Sequence, residues 1–385
     1  MAFIPYGRQF ITEEDIRAVA ETLRSDFLTQ GPAVPAFEAA IKAHCGAAHA
    51  VAVNSATSAL HIACLALGVG KGDMVWTSPI TFVASANCAL YCGARVDFVD
   101  IDPATLNMSV GALAEKLERT AKAGEKLPSV VIPVHMGGQS CDMAAIYALS
   151  QKYGFRIIED ASHAIGGRYR NGPVGDCRYS DITVFSFHPV KIITTAEGGM
   201  AVTNQPDLAR KMELLRSHGT TREQNEMTHD ADGPWYYQQI DLGFNYRMTD
   251  LQAALGISQA KRLEEWVARR NTLAARYQAE LNKLPLILPA TSSDAYSAWH
   301  LYIVQLRDKS RRRKVFTALR EDGIGVNVHY IPVHIQPYYQ TLGFRAGQFP
   351  VAEAYYEGAI SIPLYSSMAT AEQDRVIECL ARHCP

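Results

Sequence analysis

The most informative stretch of this 385-residue chain is Val184-Phe-Ser186-Phe-His188-Pro-Val-Lys191-Ile-Ile-Thr-Thr-Ala-Glu-Gly198-Gly199. A strand predicted over 183–187 leads into a loop that carries Ser186, His188 and Lys191. Aliphatic residues flank Lys191, and an apolar setting lowers the pKa of a lysine because desolvation penalises the ammonium form. A partly neutral amine suits a lysine that attacks a carbonyl carbon. The alternative is an ordinary surface lysine whose stem lies on apolar neighbours.

A second segment, Asn54-Ser-Ala56-Thr57-Ser58-Ala-Leu60, contains a predicted strand that ends at Asn54 and a helix that begins at once. The backbone N–H groups of Ala56, Thr57 and Ser58 would be free at the start of this helix, where the helix dipole also favours an anion. The segment therefore predicts a phosphate site. The alternative is a helix cap without a ligand.

A third segment, Ile158-Glu-Asp160-Ala-Ser-His163-Ala164, contains an apolar strand that delivers Asp160 to its carboxyl end. Open α/β sheets place their ligands at this end of the strands. A carboxylate there can pair with a cationic ring nitrogen. The alternative is that Asp160 caps a helix.

Together, the three segments supply a phosphate site, a carboxylate for a ring nitrogen and an amine for an aldehyde. Pyridoxal 5'-phosphate (PLP) carries those three complementary groups, so PLP is the predicted cofactor. Phe82, in the stretch Pro79–Asn87, is a candidate to stack on the ring face, although a lone aromatic residue more often belongs to the core.

The wider pattern predicts an α/β fold, since short β-rich runs alternate with helical stretches. This alternation is typical of a largely parallel sheet covered on both faces. The predicted strands are 50–54, 74–78, 96–99, 130–134, 156–159, 183–187 and 200–203, and helices are expected over 55–67, 82–92, 110–120 and 143–152.

After residue 245 the pattern changes, which indicates a second, smaller unit. Residues 249–284 read as helical nearly throughout, and a strand over 300–306, a helix over 310–321 and a strand over 325–330 follow. We expect an N-terminal segment (1–30) that contributes to the substrate site. A large PLP-binding domain (31–265) and a small C-terminal αβ domain (266–385) would follow it.

Composition excludes several classes of protein. The chain has 37 Lys and Arg against 39 Asp and Glu, so no overall charge favours nucleic acid or an anionic membrane as a partner. The eight cysteines are scattered without a C-x-x-C motif, so neither a metal site nor a disulfide framework is expected. The first residues lack the pattern of a signal peptide, and a cytoplasmic location is predicted.

These motifs resemble, in order and spacing, the DegT/DnrJ/EryC1/StrS family of sugar aminotransferases, which have the PLP-dependent transferase (aspartate aminotransferase, type I) fold. The resemblance implies that Lys191 binds the cofactor covalently and then moves protons, that Asp160 keeps the ring nitrogen protonated, and that His188 is a further catalytic candidate. The other implied cofactor contacts are Ala56, Thr57 and Ser186 with the phosphate, Phe82 with the ring face, and His163 with the ring hydroxyl.

Asn245, in Gly243-Phe-Asn-Tyr-Arg-Met, matches the asparagine that reaches the phosphate of the neighbouring subunit in this family. The resemblance thus implies a homodimer with shared active sites. Considered alone, Asn245 is more typical of a turn.

Within the family, the chain is most similar to the subgroup that makes a UDP-linked 4-amino sugar for pseudaminic acid, with L-glutamate as the expected amino donor. The residues that this resemblance places at the nucleotide-sugar site are Tyr6, Asp26, Phe27, Leu28, Thr29, Val328, His329, Tyr330 and Ile331. The stretch from His188 to Ile192 departs from the subgroup's usual His-Ala-Ile-Lys-Pro, and Ile331 stands where a lysine is expected.

Three alternatives remain at this point: an aminotransferase for another keto sugar, a PLP-dependent sugar dehydratase, and a non-catalytic sugar-binding protein. The dehydratases have a histidine in place of the lysine that binds the cofactor, so an intact Lys191 weighs against that class. Loss of Lys191 or Asp160 would be typical of a binding protein, and both residues are present.

Overall fold

The computed structural model describes residues 2–385. Its strands are β1 (His49–Val53), β2 (Met74–Thr77), β3 (Arg95–Phe98), β4 (Val130–Ile132), β5 (Arg156–Asp160), β6 (Arg168–Tyr169), β7 (Gly172–Pro173), β8 (Ile182–Ser186), β9 (Gly199–Thr203), β10 (Thr220–Thr221), β11 (Gln238–Gln239), β12 (Leu286–Ile287), β13 (Ala295–Tyr296), β14 (Tyr302–Leu306) and β15 (Ala359–Ile362). Its α-helices are α1 (Glu13–Leu23), α2 (Ala33–Cys45), α3 (Ala56–Ala66), α4 (Ala84–Tyr91), α5 (Val110–Lys122), α6 (Met143–Tyr153), α7 (Pro206–Arg216), α8 (Asp250–Ala260), α9 (Leu263–Leu281), α10 (Arg312–Glu321), α11 (Pro337–Thr341), α12 (Pro350–Gly358) and α13 (Thr370–His383).

The main sheet has seven strands in the order β1-β9-β8-β5-β4-β2-β3. The strands from β8 to β3 pair in parallel, whereas β9 pairs antiparallel with both β1 and β8. Each strand falls on one of the seven runs predicted from the sequence, and the predicted α/β class with a mixed, mostly parallel sheet is confirmed.

Helices cover both faces of this sheet because both faces of its strands are apolar. In β1, Val51 and Val53 pack on one side in a core that also contains residues of α3, α4 and α7. Ala50 and Ala52 point to the other side, into a core with residues of α2, α8 and α9. This alternation follows from the two-residue period of a strand and explains why the strands read as nearly continuous apolar runs.

The strand directions bring three predicted segments to one edge of the sheet. β1 runs parallel to β8, because both are antiparallel to β9, and β5 is parallel to β8. The carboxyl ends of β1, β5 and β8 therefore lie on the same side. This edge carries the start of α3 after β1, Asp160 at the end of β5 and Ser186 at the end of β8.

A smaller antiparallel sheet, β12-β14-β15, forms a separate core with residues from α9, α10 and α13. The predicted helix over 249–284 is divided into α8 and α9. The prediction of a strand over 325–330 is wrong: only single bridges, Ile4 with Ile324 and Asn327 with Ser361, tie this segment to its neighbours. The N–H of Gly325 donates instead to Ile4 O (2.6 Å), so the N-terminal segment occupies the position of a partner strand. The domain limits at 30 and 265 stay predictions.

Within residues 2–385, no helix is both long and apolar enough to span a bilayer. In the same range, no group of three or more His, Cys, Asp or Glu side chains is arranged to hold a metal ion. All eight cysteines are free thiols. The cytoplasmic location stays a prediction.

Candidate active site

A cavity of about 850 Å³ opens at the edge of the sheet where the predicted segments meet. Eleven of the predicted site residues line it: Tyr6, Ala56, Thr57, Phe82, Asp160, His163, Ser186, His188, Lys191, His329 and Tyr330. The structure thus brings together residues that are up to 324 positions apart in the chain.

The predicted phosphate site is formed by the first turn of α3. The side chain of Ser55 caps this helix by accepting from the N–H of Ser58 (3.1 Å), which leaves the N–H groups of Ala56 and Thr57 in the open first turn. The hydroxyl-bearing side chains of Thr57 and Ser186 line the same cavity.

Gly199, at the start of β9, permits this arrangement. A Cβ atom at Gly199 would lie 2.5 Å from the backbone nitrogen of Ala56, so any side chain would displace the first turn of α3. The resulting set of backbone and hydroxyl donors at a helix N-terminus is the chemistry that binds a phosphate group, and it therefore suits the phosphate of PLP.

Lys191 lies in the loop after β8, and its half-buried side chain lines the cavity. Its backbone N–H donates to His188 O (2.9 Å), which closes a tight turn. Burial lowers the pKa of the Lys191 amine to about 8, although the negative charge of Asp160 acts in the opposite direction. The sequence-based expectation of a lowered pKa is thus reproduced, with desolvation as its cause.

Asp160 is 5% exposed, and both of its carboxylate oxygens accept hydrogen bonds. Oδ2 accepts from the hydroxyl of Ser85 (2.6 Å), and Oδ1 accepts from the N–H of Ser162 (3.1 Å). Two donors that fix the carboxylate in one orientation leave its negative charge directed at the cavity. A cationic ring nitrogen is a suitable partner for such a group.

The sequence motifs do not indicate Ser85, which holds Asp160, or His300, whose ring contacts that of His163 (centroids 4.4 Å apart). Ser85 lies in the first turn of α4, three residues after Phe82, which precedes the helix. His300 lies just before the strand β14. Neither position carries a motif, so only the three-dimensional contact reveals them.

Seven predicted residues do not line the cavity of this chain: Asp26, Phe27, Leu28, Thr29, Asn245, Val328 and Ile331. Leu28 and Thr29 are nevertheless held beside it, because the N–H of Asp250 donates to Leu28 O (2.9 Å) and Thr29 forms a bridge with Thr249. The side chain of Asn245 is exposed, whereas its carbonyl accepts from Asn54, which does line the cavity.

The lowered pKa of Lys191 predicts how the rate of cofactor capture depends on pH. Only the neutral amine attacks an aldehyde, so the rate for the cofactor-free enzyme should rise about tenfold per pH unit below pH 8 and level off above it. A stopped-flow measurement of PLP capture between pH 6 and pH 10 tests this. A rate that still rises through pH 10, as for an ordinary lysine, would contradict it.

The sheet topology and this site define the class: a PLP-dependent transferase with the aspartate aminotransferase (type I) fold. The sequence pattern of the DegT/DnrJ/EryC1/StrS aminotransferase family matches residues 9–381. The chain belongs to this family and is a PLP-dependent sugar aminotransferase.

Individual proteins agree with this assignment. The spore coat polysaccharide biosynthesis protein SpsC of Bacillus subtilis is 43% identical over 98% of this chain and 96% of its own length. Among solved structures, Helicobacter pylori PseC, an aminotransferase involved in the biosynthesis of pseudaminic acid, is 30% identical and superposes with a TM-score of 0.91 over 99% of each chain. The PLP form of a protein from Streptococcus pneumoniae that is described as a sugar aminotransferase is 29% identical, with a TM-score of 0.89 over 99% of this chain and 98% of that one.

Proposed function

We propose that the enzyme transfers the amino group of L-glutamate to C4 of a UDP-linked 4-keto-6-deoxy-N-acetylhexosamine. The product would be UDP-4-amino-4,6-dideoxy-N-acetyl-β-L-altrosamine, an intermediate of pseudaminic acid biosynthesis. The observation that carries this proposal is the similarity to PseC over 99% of each chain. In addition, Tyr6, His329 and Tyr330, which belong to the predicted sugar site, line the same cavity as Lys191.

We further propose how this chain holds its cofactor. Ala56 and Thr57 would bind the phosphate through backbone N–H groups and a hydroxyl, and Ser186 would add a second hydroxyl. Asp160 would hold a proton on the ring nitrogen, with Ser85 keeping the carboxylate in place. When bound, PLP supplies an electron sink that stabilises negative charge on the carbon next to the transferred nitrogen.

Lys191 would have two roles in succession. Its amine would first hold the cofactor through the aldehyde carbon. Once the substrate amine has replaced Lys191, the free lysine amine would take a proton from the reacting carbon and deliver that proton to a second carbon. A pKa of about 8 suits this role, because a group that must both accept and release a proton works best near the ambient pH.

The test of this function is a panel of UDP-linked 4-keto sugars offered to the PLP-loaded enzyme with L-glutamate. We expect the highest kcat/KM for the 4-keto-6-deoxy sugar that is the direct precursor of the L-altrosamine product. The 4-amino product would be identified by mass spectrometry and NMR. Turnover confined to a 3-keto sugar, or a preference for a different 4-keto sugar, would contradict the proposed substrate but leave the aminotransferase class intact.

A second candidate is an aminotransferase for another nucleotide-linked keto sugar. The higher identity with SpsC, 43%, favours it, because the name of that protein assigns it to spore coat polysaccharide synthesis. Ile331 also favours it, because the pseudaminic acid subgroup is expected to have a lysine there. The same panel separates the two candidates.

We also propose that the active form is a homodimer with shared active sites. Large apolar side chains are exposed on the segment after β10, where Trp235 is 71% and Leu242 76% exposed, and Phe27 after α1 is 51% exposed. A second copy that covers these side chains would remove their apolar surface from water. The backbone carbonyl of Asn245 contacts Asn54 in its own chain, so its exposed side chain is free to reach the phosphate site of a second copy.

Mixed dimers test this arrangement. Co-expression of Lys191→Ala chains with Asn245→Ala chains should give more activity than either variant alone. The reason is that one of the two sites in a mixed dimer then has both an intact lysine and an intact asparagine from the other chain. If Asn245 acts within its own chain or has no role, the mixed preparation will show no gain over the Asn245→Ala homodimer.

A further inference from the structure

The ring of His163 lies between a backbone donor and a phenol. The N–H of Gly137 donates to Nδ1 of His163 (3.3 Å), and Nε2 is 3.1 Å from the hydroxyl oxygen of Tyr330. His163 is 5% exposed, so water does not replace either contact. These two hydrogen bonds determine where the single proton of a neutral imidazole must be.

Because Nδ1 accepts a hydrogen bond, it cannot carry the proton, and the neutral ring must be protonated on Nε2. Nε2 then donates to the oxygen of Tyr330. A phenol oxygen that accepts from its neighbour must direct its own O–H elsewhere. Among residues 2–385, His163 is the only hydrogen-bond partner of the Tyr330 hydroxyl, and Tyr330 lines the cavity.

The surroundings keep His163 neutral. Burial holds its pKa well below the usual value, and the positive charges of Lys191 and His135 act in the same direction. The ring of His300 packs against it (centroids 4.4 Å apart), and burial also keeps the pKa of His300 well below the usual value. A second proton on His163 would therefore place a positive charge in a buried site, beside an imidazole that stays neutral, and this opposes the reversed hydrogen bond.

Tyr330 itself remains a phenol. Burial raises its pKa, as does the negative charge of Asp160. Hydrogen bonds hold the neighbouring residue His329 in place. Its Nδ1 is 2.8 Å from the Ser361 hydroxyl, and its carbonyl accepts from Tyr355. These contacts hold the residue directly before Tyr330, and the side chain of Tyr330 lines the cavity.

We propose that Tyr330 donates a hydrogen bond to an oxygen acceptor on the bound ligand, and that His163 is a positioning residue that keeps the Tyr330 hydroxyl a donor. This inference rests on the proposed function, since the ligands are PLP and a nucleotide keto sugar. The acceptor would be the oxygen of the hydroxyl group on the cofactor ring or an oxygen of the sugar next to the reacting carbon. In either case, Gly137 determines the direction of the hydrogen bonds from Gly137 through His163 to Tyr330.

The first test concerns the cofactor-free enzyme and does not depend on the sugar. Selective 15N labelling of histidine, with His163→Gln used to assign the signal, should show His163 as a neutral ring protonated on Nε2 at pH 7. A ring protonated on Nδ1, or on both nitrogens, would overturn the proposal whatever the substrate is.

The second test is Tyr330→Phe, which removes the donor and little else. If the acceptor is on the cofactor, we expect PLP affinity to fall about tenfold and the visible absorbance band to shift. If it is on the sugar, PLP affinity and the glutamate half-reaction should be unchanged, while kcat/KM for the keto sugar falls about tenfold. Unchanged affinity, spectrum and rates in both half-reactions would overturn the proposal.

The third test separates positioning from a structural role. The amide of His163→Gln can accept from Gly137 and donate to Tyr330. This variant should therefore retain the PLP affinity or the kcat/KM for the keto sugar, whichever of the two Tyr330→Phe lowers. His163→Leu has a similar volume but neither group, and it should match Tyr330→Phe. Wild-type behaviour of a folded His163→Leu enzyme would overturn the role of His163.

Discussion

Lys191→Ala should abolish covalent attachment of the cofactor and lower the rate of amino transfer about ten-thousandfold. Lys191 is the only lysine among the residues that line the cavity. Its amine serves as the covalent anchor and as the group that moves the proton, so one substitution removes both functions. The measurement is the single-turnover rate with L-glutamate, monitored through the visible absorbance of the bound cofactor.

Borohydride reduction of the PLP-loaded wild-type enzyme should fix the cofactor to a peptide that contains Lys191. The matched control is Lys211→Ala: this lysine lies on α7, and its Nζ contacts Ala66 O (3.4 Å), outside the cavity. That variant should behave as wild type. A Lys191→Ala enzyme that still traps the cofactor covalently would show that another amine is the anchor.

Much of the site could be predicted because chain order and strand direction determine it. Asp160 and Ser186 each end an apolar strand, and α3 begins directly after another, so a sheet with these strands aligned must gather them at one edge. Lys191 follows β8 within a few residues and is held by the same geometry. Local sequence sufficed for these residues because the alternation of apolar runs already defines the sheet.

The rest depends on contacts between distant parts of the chain. Gly137 lies 26 positions before His163, and Tyr330 lies 167 positions after it, so no local pattern reveals that they share one imidazole. The segment over 325–330 alternates like a strand. However, the N-terminal segment at Ile4 lies where a neighbouring strand would pair, and only single bridges form. Burial and pairing of this kind are tertiary properties that periodicity does not encode.

Asp160→Asn should lower the rate of amino transfer about a hundred- to a thousandfold while the fold is retained, in line with the loss of one fixed charge from a preorganised site. The asparagine can keep both present contacts, since its oxygen can accept from the N–H of Ser162 and its amide can donate to the hydroxyl of Ser85. What it lacks is the negative charge that would keep a proton on the ring nitrogen. Without that proton the ring is a weaker electron sink, so proton removal from the reacting carbon becomes the slow step.

Glu159→Gln is the matched control, because Glu159 is also a buried carboxylate and is adjacent to Asp160 on β5. It points to the other face of the sheet, where it contacts His135 Nε2 (2.8 Å) and the hydroxyl of Thr183 (3.1 Å). Burial raises the pKa of a carboxyl group, but His135 and the hydroxyl donors outweigh it and hold the pKa of Glu159 below its usual value. Its loss should therefore lower the unfolding temperature and leave the rate per bound cofactor unchanged.

A deuterium isotope effect separates the two variants at the chemical step. With α-deuterated glutamate, Asp160→Asn should show a larger effect on kcat than wild type, since removal of that proton then limits the rate, and Glu159→Gln should match wild type. If both variants lose activity in proportion to lost stability, with no change in isotope effect, then Asp160 acts only as a structural carboxylate. In that case the proton on the ring nitrogen must be held by another group.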